Sequence, residues 1–213
     1  MTSTVNRLIF IGAILIIAGG IFLTSWMAQN EDTRLRQDLL SKSRLVKEGF
    51  SLEQVKGLTG SPTDVVSPGY TVVKAEMLRI RMADPPIRFI YFMGERPDGR
   101  IVFLVDSEPP ESEDYSPPGQ EYPEASDILK NVFVTSRETT EGPVSDRWGT
   151  WVSSITPVTD PATGRVIAVF GIDVDARVWN LKIAGACLPP VTATMILLLL
   201  LLVFLVLKQR QGL

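Results

Sequence analysis

The chain has no histidine and a single cysteine. Without histidine, the Ser-His-Asp and Cys-His nucleophile systems are out of reach. A zinc site built from Cys and His is excluded on the same ground. No histidine can carry a phosphoryl group, so this chain is not by itself a histidine kinase. One cysteine cannot close an internal disulfide, which leaves the fold to stand on its apolar core. That cysteine, Cys187, lies in an apolar run and reads as a small membrane-helix residue. Charge is missing from two long stretches as well. Leu8–Ala28 and Ile183–Leu207 contain no Asp, Glu, Lys or Arg.

Each uncharged run is long enough, at about 1.5 Å per helical residue, to span a hydrocarbon core of about 30 Å. For Leu8–Ala28 the competing reading is a cleaved signal peptide. Bulky Trp26 stands where a cleavage site wants a small residue, so the run reads as an uncleaved anchor, with Trp26 at the interface. Gly12 and Gly19 fall on one helix face, where another helix could approach. Pro189 and Pro190 predict a kink in the second run. Arg7 precedes the first span, and Lys208 and Arg210 follow the second, which predicts both termini on the cytoplasmic side. The predicted order is therefore a cytoplasmic tail (1–7), a transmembrane helix (8–28), an extracytoplasmic domain (29–180), a second transmembrane helix (181–207) and a cytoplasmic tail (208–213).

All 24 acidic residues lie in the middle segment. Four of the 21 basic ones, Arg7, Lys182, Lys208 and Arg210, lie outside it, which leaves 17 and a formal charge of −7. Such an acidic domain is a poor nucleic-acid binder. Its first part, 29–48, has Leu35, Leu39, Val46 and Phe50 near one helical face. Asp38–Lys42 and Arg44–Glu48 are spaced as i,i+4 ion pairs. This segment reads either as a rod that passes on movement or as a plain solvated stalk. Ser51 with Gln54 is a capping-box pattern for a short helix, Ser51–Leu58. A third helix is predicted over Tyr70–Met82, ended by Asp84-Pro85-Pro86.

Strands follow. Ile87–Gly94 and Ile101–Asp106, joined by a turn with Asp98-Gly99 at its tip, form a predicted hairpin. Ser107–Gln120 holds four prolines and four acids and reads as a structured lid. Its acids lack the spacing of an EF-hand loop, so no metal is expected there. Ala125–Val134 reads as a short helix. Trp148–Val158 and Arg165–Asp173 form a second hairpin around Thr159–Gly164. The last strand is apolar on both faces and is predicted to be central in the sheet. These elements give an α+β fold with helices on one side of an antiparallel sheet.

The closing hairpin, DRWGTWVSSITPVTDPATGRVIAVFGIDVDA, resembles that of PAS-like Cache domains, the extracytoplasmic sensor modules of bacterial and archaeal receptors. Pro157-Val158, Asp160 through Gly164, and Gly171-Ile172-Asp173-Val174 carry the resemblance, and 89–119 is similar to the family's first hairpin and lid. The resemblance implies a five-stranded antiparallel sheet with a long N-terminal stalk helix and two flanking membrane helices. It also implies a small-ligand pocket on one sheet face, homodimers joined through the stalk helix, and an output domain of the kinase or diguanylate cyclase type. Only six residues follow the second span, so the expectation is either a piece of a longer receptor or signalling through a partner.

The function expected is therefore a small-molecule sensor module of the inner membrane, not an enzyme, with no cofactor. The alternatives are a ligand-free membrane-anchored assembly domain and, further off, a carboxylate-based hydrolase. Asp173 ends an apolar strand. In amino-acid-binding relatives the matching aspartate meets the ligand amine, whereas the structural reading is a cap on a helix starting at Val174. The other ligand-binding candidates are Arg88, Tyr91, Asp106, Tyr115, Asp146, Trp148 and Trp151. An arginine and an aspartate in one pocket would suit a carboxylate or amine ligand, with Tyr and Trp as walls. Asp146-Arg147 reads as an internal ion pair of its loop. The relatives' Tyr-x4-Arg-x-Trp motif is absent: neither Tyr115 nor Tyr122 has arginine at that offset.

Overall fold

The elements follow the chain in this order: α1 (Thr2–Lys47), α2 (Leu52–Lys56), a 3-10 turn (Pro62–Val66), α3 (Pro68–Ala83), β1 (Ile87–Glu95), β2 (Ile101–Asp106), α4 (Asp127–Thr135), β3 (Thr139–Ser145), β4 (Thr150–Thr159), β5 (Val166–Asp175) and α5 (Ala176–Arg210). They come from a computed structural model that describes residues 2–210, with side chains from residue 7. Residue 1 of the first predicted tail and residues 211–213 of the second lie outside the described residues. The chain divides into two compact units, Leu35–Trp179 and a second made of Met1–Arg34 with Asn180–Leu213.

In the first unit the five strands form one antiparallel sheet in the order β2-β1-β5-β4-β3. The apolar strand β5 is at its centre, where both of its faces are covered. Helices cover both sides, not one. On one face Phe50, in the turn after α1, packs against Phe92 and Phe170, with ring centroids 5.4 and 6.0 Å away. Ser43 of α1, fully buried, hydrogen-bonds Thr156 of β4 at 2.9 Å. On the other face Leu129 and Val132 of α4 join Phe89, Tyr91, Trp151 and Val169 in one buried cluster. The strong amphipathic spacing of α4 needs an apolar surface, and this second face supplies it.

The capping box at Ser51 forms as its sequence predicts. Ser51 Oγ accepts from Gln54 N at 3.2 Å, and Gln54 Oε1 accepts from Ser51 N at 2.7 Å. The predicted i,i+4 ion pairs of α1 do not form. Lys42 pairs with Asp84 and Arg44 with Glu138, because partners from other elements stand closer. Leu35, Leu39 and Phe50 are buried against the unit's own core. Strand β3 carries Gly142-Pro143, a pair that conceals a strand from pattern reading. Proline is tolerated here because β3 is an edge strand.

The second unit holds the apolar lengths of α1 and α5, each long and apolar enough to cross a membrane. α5 stays helical through Pro189 and Pro190. The helices approach at Gly20, not at Gly12 or Gly19. A Cβ on Gly20 would meet Thr194 Oγ1 at 2.3 Å, whereas nothing lies within 4 Å of the other two.

Candidate functional site

The site is built on the pairing of β1 with β5. Tyr91 of β1 stands opposite Gly171 of β5, and Phe89 opposite Asp173. Because strand side chains alternate, Gly171 and Asp173 face the same side. Gly171 is the seat of the Tyr91 ring: a Cβ there would lie 2.1 Å from Tyr91 Cε2. Lying over the glycine, Tyr91 reaches two residues along β5 and donates its hydroxyl to Asp173 Oδ1 at 3.0 Å. Ser153, opposite Asp173 on β4, supplies a second hydroxyl. The Gly-x-Asp spacing of the last strand thus makes this arrangement. Asp173 does not cap a helix. It lies inside β5, α5 begins at Ala176, and the amide of Arg177 is taken by Asp175 Oδ1 at 2.7 Å.

Asp173 is only 6% exposed. Burial pushes its carboxyl from the ordinary 3.8 up to about 7, because hydroxyl donors only partly replace water around a charge. The Tyr91 hydroxyl is pushed up too, first by burial and then by the neighbouring Asp173.

Two small cavities flank the Tyr91–Asp173 bond. The front one has about 30 Å³ of free space, room for about two waters. Its floor is Phe89, Tyr91, Met93, Phe103 and Asp173, and its rim includes Asp106, Asp114, Ser116, Tyr122, Asp146 and Trp148. The rear one has about 10 Å³ and is lined by Trp151, Ser153 and Glu141 as well as Tyr91, Tyr122, Asp146 and Asp173. Burial pushes the Glu141 carboxyl up, against a hydrogen bond from Ser126. Three rings close the front wall: Phe103 lies 5.7 Å from both Tyr122 and Trp148, and these two are 6.1 Å apart.

Asp146 organises that wall. Its Oδ1 accepts from Trp148 N at 2.9 Å, Gly149 N at 3.1 Å and Trp151 Nε1 at 2.9 Å, while Oδ2 accepts from the Tyr122 hydroxyl at 3.1 Å. The loop is therefore held by amide and ring donors, not by an Asp146–Arg147 ion pair. Arg147 pairs with Glu124 at 2.6 Å and lies over Trp148.

The lid, 107–120, is clamped by charge. Glu108, 3% exposed, takes Arg81, Arg88 and the Ser112 hydroxyl, and Arg88 also takes Asp114. Lys74 pairs with Asp106 at 2.6 Å and stands 4.1 Å over the Tyr115 ring, and Tyr115 hydrogen-bonds Tyr70 at 3.1 Å. Burial pushes Asp106 up and Lys74 down. Beyond Ser116 the chain pairs with the outer edge of β2, through Phe103 N to Gln120 O at 2.9 Å and Gly119 N to Phe103 O at 2.8 Å.

Of the residues singled out from sequence, Tyr91, Asp106, Asp146, Trp148 and Asp173 line the front cavity and Trp151 the rear one. Arg88 and Tyr115 do not line either; both belong to the lid clamp. No lysine or arginine lines the front cavity among the described residues, so the expected Arg–Asp pair in one pocket is not there. Phe89, Phe103, Asp114 and Tyr122 were not among the sequence candidates. The alternation of β1 and β2 was enough to put Phe89 and Phe103 on the face of Tyr91.

No family model and no curated protein matches the sequence. Solved structures do match. The ligand-binding domain of the Campylobacter jejuni chemoreceptor Tlp3, solved in complex with L-norvaline, is 12% identical with a TM-score of 0.50, over 80% of this chain and 63% of that one. The chain shares its fold with that ligand-binding domain. Two more likenesses are looser. The E. coli DcuS sensor domain is 20% identical at a TM-score of 0.49, over 70% of this chain and 97% of that one. The periplasmic domain of RsbU from Chlamydia trachomatis is 18% identical at 0.48, over 80% and 56%. At these identities what is shared is the fold. The chain spans 63% of the length of the Tlp3 domain.

Proposed function

We propose that this chain is the extracytoplasmic sensor module of a membrane signal-transduction receptor, and that it binds a small molecule in the front cavity over Asp173. The observation that carries this reading is a buried carboxylate, held by hydroxyls alone, on the floor of an aromatic-walled cavity. A fold has no structural need for such a group, since an apolar residue there would cost less. On this reading the two apolar helices cross the membrane, with 29–180 outside and both termini inside, as the basic residues at their ends favour. Through α1 and α5 a ligand shifts the module between two states, to the extent that it binds one of them better.

The second reading is a ligand-free assembly domain. The small free volume of the front cavity, about 30 Å³, favours it. A thermal-melt panel on the full chain in detergent separates the two. Amines, amino acids, organic acids and purines are each added in excess. A saturable rise in Tm with one class supports the sensor, since binding to the folded state raises stability by mass action. A flat response to all four classes supports assembly.

A further inference from the structure

We infer that Arg36 of α1 and Thr140 of β3 form a two-position latch, whose second position is a hydrogen bond from Thr140 to the unpartnered hydroxyl of Ser154. The latch rests on the sensor reading for its use, which is to pass a change in the sheet to the helices. Its two positions exist without a ligand and are tested without one.

Ser154 of β4 is fully buried, and its Oγ is the one buried side-chain polar atom with no hydrogen-bond partner among the described residues. A buried hydroxyl left unpaired costs the state that leaves it so. Thr156, two residues along β4 and on the same side of the sheet, is better served: it pairs with Ser43 of α1 at 2.9 Å. The residue directly opposite Ser154 is Thr140, on the edge strand β3. Opposite residues of an antiparallel pair stand about 4.5–5.5 Å apart at Cβ, and Thr–Ser pairs at that spacing hydrogen-bond.

Thr140 does not make that bond. Its Oγ1 is turned to Arg36, which donates Nη1 to it at 3.4 Å and Nη2 to the Gly142 carbonyl at 2.9 Å. The first of these is long for a charged donor. A step of Thr140 between staggered χ1 wells carries Oγ1 from the guanidinium to Ser154. That step gives up a stretched bond and gains one with a hydroxyl that has none. The two positions exclude each other, because one oxygen serves both.

Each side of the latch reaches further into the fold. Glu141, next to Thr140 and facing the other side of the sheet, lines the rear cavity and accepts from Ser126 at 2.5 Å. Gly142 lies where the β3–β4 pairing shifts register, so close to β4 that a Cβ would meet the Trp151 carbonyl oxygen at 2.3 Å. On the helix side the Arg36 guanidinium lies 5.7 Å from the Trp179 ring of α5. A shift of β3 at the cavity therefore biases the latch, and the latch biases the footing of both α1 and α5.

NMR of the full chain in detergent, labelled at threonine methyls, reads the latch directly. Couplings from the Thr140 methyl carbon to its own amide nitrogen and carbonyl carbon give the χ1 rotamer, and Thr140→Val assigns the signal. We expect the Arg36-facing rotamer to dominate in the unaltered chain. Arg36→Gln should shift the rotamer ratio at least tenfold toward Ser154, and adding Ser154→Ala to that variant should cancel the shift. Thermal melts confirm that each variant is folded. If Arg36→Gln does not fold, Arg36→Lys is read the same way, because it keeps the charge and loses the fork. A rotamer ratio unchanged by loss of the fork overturns the latch. So does a shift that survives Ser154→Ala, since Ser154 is then not the second position. Neither result bears on the sensor reading, which the ligand panel tests by itself.

Discussion

Asp173 costs the folded state stability that its hydroxyl partners only partly restore. Its carboxyl rises from 3.8 to about 7 on folding. The native state therefore holds the proton more tightly between about pH 4 and 7. Stability from this residue falls as pH rises through that window and is lowest above it. A difference of that size corresponds to about 4 kcal/mol at most. Asp173→Asn should raise stability at pH 8 and show little gain at pH 4, as urea melts at the two values would read. A variant equally or less stable at pH 8 would mean that the carboxylate is well compensated. Gly171 is the complementary residue. Gly171→Ala puts a methyl into the Tyr91 ring, and a loss of about 1–3 kcal/mol is expected. The same melts measure it, and unchanged stability would show that Tyr91 does not need that seat.

Among the elements, the lid depends most on charge. Glu108 is buried between two guanidiniums, and its removal takes this partner from Arg81 and leaves Arg88 with Asp114. Glu108→Ala should cost about 3 kcal/mol, the low end for a buried pair, because Arg88 is one-third exposed. Proteolysis within 107–120 should speed up in that variant, and an unchanged cleavage rate would argue that prolines alone hold the lid. The sequence was readable here to different depths. Hairpins β1–β2 and β4–β5 were legible because alternation and Asp-Gly or Pro-x-x-Gly turns are local signals. β3 was not, since an edge strand needs no apolar pattern and carries Gly142-Pro143. The lid's clamp was also out of reach, because Arg81 and Arg88 meet Glu108 only after α3 and β1 have packed. Asp173 stood out as an acid in an apolar strand, but its partner Tyr91 follows from the β1–β5 register, which no local pattern fixes.

For the whole molecule, the membrane arrangement we propose rests on the two apolar helices and the basic residues at their ends. Alkaline phosphatase fused after residue 60 should be active in bacterial cells. A fluorescent protein that matures only in the cytoplasm should glow when fused after residue 213. The reverse pattern would invert the topology and remove the outside ligand from the account. The central claim concerns Asp173, the one carboxylate of the front cavity with neither an N–H nor a cationic donor among the described residues. A carbon-13 NMR titration of the full chain, labelled at aspartate carboxyls and assigned by Asp173→Asn, tests it most directly. The account predicts a midpoint near 7 for Asp173. A midpoint near 4 would contradict it.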